Sequence, residues 1–489
     1  MKKVIVFGAG GLFRVFLPFI KSRYQLAAIS DNDTTRHGQF VDGVRIVSPS
    51  DIICLDFELV IVASMYFEEI KEKLISLGIN NNAIVNIYDD LLIREGVANY
   101  LNEHDELIIA INKISSLSLT KKKLIVMNSL GNGGAERALL NLCRRIEEKE
   151  KIFLIVIEGG GEYFDALSHI IPVVEIFSSI ENRLLSRCFF MYFSAKDICS
   201  RLFGRNAYDI AIAYIEGLST YLVSGINCNY KVACVHANLF SHHVSAPYYA
   251  SLKAEYDAYA SMDRLIFVSN SVKDGFSEII ELRDYESSII GNIFDIDAIN
   301  SRSKMENDSH ILYPYIVAVG RLVEVKGFDK LIRAFTKIKK NGQKDLKLVI
   351  IGDGPLKSAL DDLISTLGMK EHIILLGKKD NPYPYIKSAQ CLVSSSISEG
   401  HPLVIGEAII LGIPIIATNC EGNTGMVAHG SYACLCDNSE NGLVSALTYF
   451  LESPMYRAVL QFKSSCGQII LSGKSEVEKW NEIINKSVC

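Results

Sequence analysis

The chain has 489 residues, 49% apolar and 22% charged, with a formal net charge of −6 and a pI near 6.0. That is length for several domains of roughly 100–200 residues, three being expected, and a composition with little room for extended disorder. No bulk positive field exists to draw in a polyanion, so nucleic acid is excluded as a partner, and twelve cysteines without a CxxC pair point to buried reduced thiols in a cytosolic protein.

The opening MKKVIVFGAGGLFRVFLPFI contains Arg14 and a glycine turn and has no small-residue cleavage site, which argues against a signal peptide. No apolar run approaches the roughly 20 residues of a spanning helix, so any membrane contact is expected to be peripheral. Residues 1–92 read as strand KVIVFG, a glycine turn, a helix through Ser22, strand QLAAIS ending at Asp31, strand LVIVAS, and a helix containing EEIKEKLISLG. Strands alternating with amphipathic helices predict βαβ crossovers and a parallel sheet. Gly8, Gly10 and Gly11 precede the helix and Asp31 follows about twenty residues on, as in a dinucleotide fingerprint, although Phe13 stands where the last glycine belongs. NAD, a nucleotide sugar and a purely structural role all remain open for this module. It has no Tyr-x3-Lys pair, which weighs against hydride transfer there.

Residues 93–120 are more charged, with helical periodicity, and are expected to form a connecting helix and linker. A second α/β unit, 121–300, opens with KKKLIVMNSLGNGGAERALLNL and continues through FLIVIE, YDIAIAYI, KVACVHA and RLIFVSN to FDIDAI. Within it, Arg183 to Arg205 carries five cations against one acid, and Leu185, Cys188, Phe189, Tyr192, Cys199 and Phe203 share one helical face. Two readings fit: a helix docked on the inner leaflet of a membrane, or a core helix with a basic outer face. Asp295 and Asp297 form a DxD at the unit's exit and are read as turn residues, so no metal site is expected. NSRSKMENDSH reads as a hinge. The third unit, 301–470, runs through YIVAVGRL, KLVIIGDG, IILLG, CLVSSS and PIIATN, with Cys434 and Cys436 alternating as in a strand, and a helix over 471–489 is expected to pack back on the second unit. Two α/β units across a hinge make a cleft, and ligands of such sheets sit beyond the carboxyl ends of the strands.

The stretch SISEGHPLVIGEAIILG places Glu399 at a strand end and Glu407 in an apolar helix beginning near Leu403. The helix start offers amides near Leu403 and Val404 to a diphosphate. Carboxylates would repel that group, so they are expected to accept hydroxyls on either side of it, from a sugar and a ribose. The plain alternative is a helix-capping Glu399 and a solvated Glu407. Arg321 and Lys326, five residues apart past another strand end, could together neutralise one departing anion without a metal, or be ordinary surface cations.

The ordered set GRL-x2-VKG, IGDGP, SEGHPLVIGEA and GIPIIAT resembles the donor-binding half of the retaining glycosyltransferases of family 4, over a span from about residue 123 to the C-terminus. The resemblance implies an α/β chain of GT-B architecture, two Rossmann-like domains facing across a cleft. The small Rossmann-like domain that precedes them resembles modules fused to bacterial carbohydrate-biosynthesis proteins. By position, Glu399 and Glu407 match the Glu-x7-Glu motif, for the transferred sugar and the ribose, and Arg321 and Lys326 match the diphosphate-binding pair. Gly320, Gly352, Asp353, Gly354, Gly377, His401, Pro402, Leu403 and Val404 fall in the donor-binding segments, with Gly377 to Asn381 near the base. Gly133 and Gly134 match the glycine loop that approaches the diphosphate, and Glu136 opens its helix. His236 matches a histidine near the reacting centre, with a structural imidazole as the alternative. Glu216 follows a strand end and is read as lining the acceptor pocket or as a helix cap. One departure is Gly425, where relatives commonly carry glutamate; Thr424 and Gly425 would still offer amides.

The activity so implied is metal-independent sugar transfer from a nucleotide-diphosphate sugar to an acceptor hydroxyl with retention. The acceptor would be a lipid-linked saccharide of bacterial surface polysaccharide synthesis. With no carboxylate placed as a covalent nucleophile, the leaving phosphate would take the acceptor proton while the protein orients and neutralises. The rivals are a GT-B nucleotide-sugar epimerase, which needs no acceptor, and an NAD-dependent oxidoreductase or sensor acting through the N-terminal module.

Overall fold

A computed structural model describes residues 1–64, 66–131, 133–178, 186, 189–249, 251–281, 286–306, 311, 313–340, 345–467, 471 and 473–486. Three sheets follow one another along the chain. In the first, Lys3–Phe7, Gln25–Ser30, Leu59–Val62 and Ile84–Asn86 run parallel, and the short strand Phe40–Val41 adds antiparallel to Val44–Val47. These last three strands are two to four residues long, too short to leave a periodic signal.

The second sheet has seven strands and the third six. Their strands, such as Ile152–Glu158 and Lys347–Ile351, are nearly continuous runs of Ile, Val and Leu buried on both faces, as parallel strands sandwiched between helices must be. Cys434–Cys436 is the edge strand of the third sheet, parallel to Ile415–Thr418. Lys123–Ser129 neighbours Tyr208–Ala213 in the second sheet, and Tyr315–Val319 neighbours Leu392–Ser394 in the third. At both places the strand order reverses direction, which opens a crevice beyond the carboxyl ends of the two strands.

The connection between the first two sheets is two helices, Leu91–Glu103 and Asp105–Leu117, separated at His104. Ile93, Val97, Leu101, Leu107, Ala110 and Ile114 lie in one continuous core with Phe13 and Phe16 of the first unit and Val126 and Phe153 of the second. The segment is thus a packed bridge. At the other end, Lys474–Ile484 returns to the second unit, where Trp480 stacks near Tyr214 at 5.6 Å between ring centroids and Ile483 and Ile484 join Leu139 and Leu142.

The membrane-docking reading of Arg183 to Arg205 is corrected over its described part. Phe189, Tyr192, Cys199 and Phe203 are buried in the core, so that apolar face is already covered by protein. Leu185 and Cys188 lie outside the described residues. Of the described basic side chains, Lys196 and Arg205 are exposed, and Arg201 lies over the Phe193 ring at 4.9 Å.

Candidate active site

In the third unit, the loops after Val319 and Ser394 are laced together at the switch point. Lys326 Nζ stands 2.5 Å from Glu399 Oε1, to which Ser396 Oγ also donates at 2.6 Å. Ser395 Oγ donates to the Lys326 carbonyl at 2.8 Å, and the Ile397 amide donates to Val325 at 2.7 Å. Arg321 is exposed beside this pair, its side chain without an ion-pair partner among the described residues. Gly352 and Gly354 lie behind the loop that carries Arg321. A β-carbon on Gly352 would sit 1.8 Å from the Gly320 carbonyl oxygen, so glycine is required for the two turns to touch. Asp353 points outward, bonding the Gly354 amide and Lys357. Gly377 supports the same turn, its carbonyl accepting the Gly352 amide at 2.9 Å, and near it Asn381 Nδ2 donates to the Arg302 carbonyl at 2.9 Å.

The helix Leu403–Ile410 starts at Pro402 with no side-chain cap, so Glu399 is not its cap and the amides of Leu403 and Val404 face the crevice uncovered by a side-chain acceptor. Glu407 is not solvated either: the residue is 2% exposed. Its Oε1 meets Arg137 Nη2 at 2.8 Å and Tyr383 Oη at 3.2 Å, while its Oε2 is buried with no partner among the described residues. Burial pushes this carboxyl up, against the opposing pull of Arg137. The Arg302 guanidinium lies over the Tyr383 ring at 5.3 Å.

Across the cleft, Gly133 caps the helix Gly134–Arg145, and a β-carbon on Gly134 would stand 3.6 Å from Leu403 Cδ1. Two helix starts therefore face each other. The Glu136 carboxylate folds back onto the amides of Gly133 and its own residue; burial pushes it up to about 6, with those amides and Arg321 pulling the other way. His236 follows the strand Cys228–Val235. Burial pushes its imidazole down to about 4 while the Tyr214 backbone holds one ring nitrogen, and Nε2 is buried without a partner. It is neutral near pH 7. Glu216 does not cap the helix Leu218–Gly225, which begins at Gly217 without a side-chain bond. Instead it accepts the His236 amide at 2.8 Å.

The lobes are closed on one another. Gly400 seats on the His236 backbone, where a β-carbon would lie 1.9 Å from the His236 carbonyl oxygen. Ser269 Oγ donates to the Gly400 carbonyl at 2.9 Å, Ser241 and Ser398 share a 2.8 Å hydroxyl bond, and Asn292 Nδ2 reaches the His401 carbonyl at 3.2 Å. Burial pushes the His401 imidazole down to about 4. Near Gly425, Glu421 accepts Ser271 Oγ at 2.6 Å from the opposite lobe. The Thr424 amide is engaged by the Cys420 carbonyl at 2.9 Å, which corrects the expectation that it is free for a ligand.

One cleft thus gathers Arg321, Lys326, Glu399, Glu407 and the Leu403 helix start with Gly133, Gly134, Glu136 and His236. Asp295 stands apart, capping Ile296–Arg302 through the Ala298 amide at 3.1 Å and pairing with Arg144 at 3.2 Å. No cluster of three or more metal-ligating side chains occurs among the described residues. Arg137 and Tyr383 escaped the sequence reading. The available signal was a cation in the first turn of a helix, where the dipole disfavours it unless an anion lies ahead.

In the first sheet, Gly8, Gly10 and Gly11 form the turn into the helix Gly11–Arg23, far from this cleft. Asp31 Oδ2 accepts the Ala9 amide at 2.6 Å and Oδ1 accepts the Asp33 amide at 2.9 Å. Arg36 lies 3.7 Å from the same carboxylate. Both carboxylate oxygens thus help to hold the glycine turn.

The family model for glycosyl transferases group 1 matches residues 304–463, the lobe that carries Arg321, Lys326, Glu399 and Glu407. Residues 304–463 therefore form a group 1 glycosyl transferase domain. A model for the C2185-like N-terminal domain matches residues 1–85 of this glycosyltransferase. The N-acetylgalactosamine-N,N'-diacetylbacillosaminyl-diphospho-undecaprenol 4-alpha-N-acetylgalactosaminyltransferase of Campylobacter jejuni is 26% identical over 70% of this chain and 93% of its own. A glycosyltransferase of Methanocaldococcus jannaschii is 34% identical over 141 residues, 28% of this chain and 34% of that one. Among solved structures, Anabaena HepE in complex with UDP and glucose shares the GT-B fold at a TM-score of 0.60 and 20% identity, over 74% of this chain and 98% of that chain.

Proposed function

We propose that this group 1 glycosyltransferase moves a hexose from a UDP-sugar to a hydroxyl of a lipid-linked saccharide, with retention at the anomeric carbon. One observation carries the donor half: at a single switch point, the Lys326–Glu399 pair at 2.5 Å lies beside Arg321, with Glu407 Oε2 one helix turn inside, and neither the Arg321 side chain nor that oxygen has a partner among the described residues. The orphan oxygen suits a ribose hydroxyl. The helix starts at Leu403 and Gly134, with Arg321 and Lys326, suit the diphosphate between ribose and sugar. Glu399 then takes a sugar hydroxyl, and the neutral His236 presents Nε2 as an acceptor at the reacting end. The departing phosphate oxygen takes the acceptor proton as the glycosidic bond forms on the same face. The lipid-linked acceptor rests on the name of the Campylobacter relative, and such an acceptor would bring the protein to a membrane surface.

Thermal shift over a panel of nucleotide sugars tests the proposal. A UDP-sugar is expected to stabilise the wild type and to lose that effect in Glu407→Ala; equal stabilisation of both proteins would overturn the site. Turnover is expected to survive EDTA, and complete loss restored by manganese would sink the metal-free scheme.

A further inference from the structure

Arg137 and Glu407 come from opposite lobes, and their contact of 2.8 Å joins an arginine side chain that is 26% exposed to a glutamate side chain that is 3% exposed. The neighbouring lobe contacts of Ser241, Ser269 and Asn292 are neutral hydrogen bonds. We propose that Arg137 is a positioning residue that ties ribose occupancy at Glu407 to closure of the two lobes, an inference that rests on the donor reading above.

The physical case has three parts. Arg137 sits in the first turn of Gly134–Arg145, where the helix dipole opposes a cation, so its place is stabilised only when Glu407 stands in front of it. Glu407 Oε1 is shared by Arg137 and Tyr383, whereas Oε2 has no partner among the described residues. A bare carboxylate oxygen in a dry site costs more than a hydrated one, so closure without a ligand carries that penalty. A ribose hydroxyl donating to Oε2 removes it without displacing Arg137. Ribose binding and closure therefore favour each other, and that linkage is reciprocal. Closure driven in this way brings the helix start at Gly134, in whose first turn Arg137 sits, onto the diphosphate.

The experiment compares wild type, Arg137→Met and Glu407→Gln in the full chain, with UDP as the probe. Circular dichroism and unliganded unfolding check that each variant folds. Calorimetry is expected to show UDP affinity lowered roughly tenfold in Arg137→Met, within the range typical of linked sites. Small-angle scattering should show compaction with UDP in the wild type and not in this variant. Turnover should fall through kcat more than through KM, and the double variant with Glu407→Gln should lose less than the sum of the two single losses, because the two residues share one contact. Arg137→Lys, which keeps the charge without the planar fork, should recover part of the compaction and carries the same comparison if the methionine variant does not fold. UDP compaction equal to wild type, with kcat within about twofold of it, would overturn the inference alone. A wild type that binds neither UDP nor any UDP-sugar would overturn the donor reading and this inference together.

Discussion

The Glu216 carboxylate accepts the backbone amide of His236 at 2.8 Å, so a buried acid holds in place the turn on which Gly400 of the opposite lobe is seated. The Ala237 amide adds to that hold, and Asn128 Nδ2 fixes the Glu216 carbonyl at 2.8 Å. Glu216→Gln keeps one acceptor oxygen but points an NH2 group at the second amide. A loss of about 1–3 kcal/mol in unfolding free energy is expected, with reduced turnover. If unfolding and kcat both match the wild type, Glu216 does not position His236.

Lys326 and Glu399 should behave as one unit. Lys326→Met removes a cation from the leaving diphosphate and is expected to cost roughly 10²–10³ in kcat, the scale seen when a fixed donor to a developing charge is lost. Glu399→Gln should lower kcat while UDP affinity stays within a few-fold, because its proposed partner is the sugar. The double variant should lose less than the sum of the two, as contacting residues do; full additivity would contradict the pairing.

Glu136 gives donor binding a pH dependence of definite sign. Pushed up to about 6, it is ionised at pH 7.5, and an arriving diphosphate raises its proton affinity further. UDP binding should therefore take up protons and be tighter at pH 6 than at pH 8. Calorimetry in buffers of different ionisation enthalpy measures the uptake. Glu136→Gln should abolish it, and persistence in that variant would assign the proton elsewhere.

His236 and His401 set an acid limit on stability. Each is pushed down to about 4 by burial, below the ordinary value near 6.5. Between those values the unfolded chain binds protons that the fold refuses, so stability falls as pH drops from about 6.5 toward 4. Urea unfolding across that range should show the decline, and His401→Asn should flatten it. A profile unchanged by the substitution would place the ring in solvent.

The alternation of apolar strands, glycine turns and amphipathic helices made all three α/β units legible, and strand ends followed by Arg321, Glu399 and His236 pointed to the cleft. The tripartite pattern faded where elements were shortest, as at Phe40–Val41 and Ile84–Asn86, because two or three residues hold no period. Arg183 to Arg205 shows the opposite difficulty. An apolar helical face reads alike whether lipid or protein covers it, and only the packed core decided for protein at Phe189, Tyr192, Cys199 and Phe203.

By itself, the order of residues determined which groups this glycosyltransferase presents at its strand ends, because periodicity and turn chemistry are local and act over a few bonds. What each group touches was decided by tertiary structure alone. Arg137 meets Glu407, Glu216 holds His236 and Asp31 closes its own glycine turn because sheets and lobes bring together segments remote in the chain. Burial then removes the water that would otherwise make those contacts interchangeable.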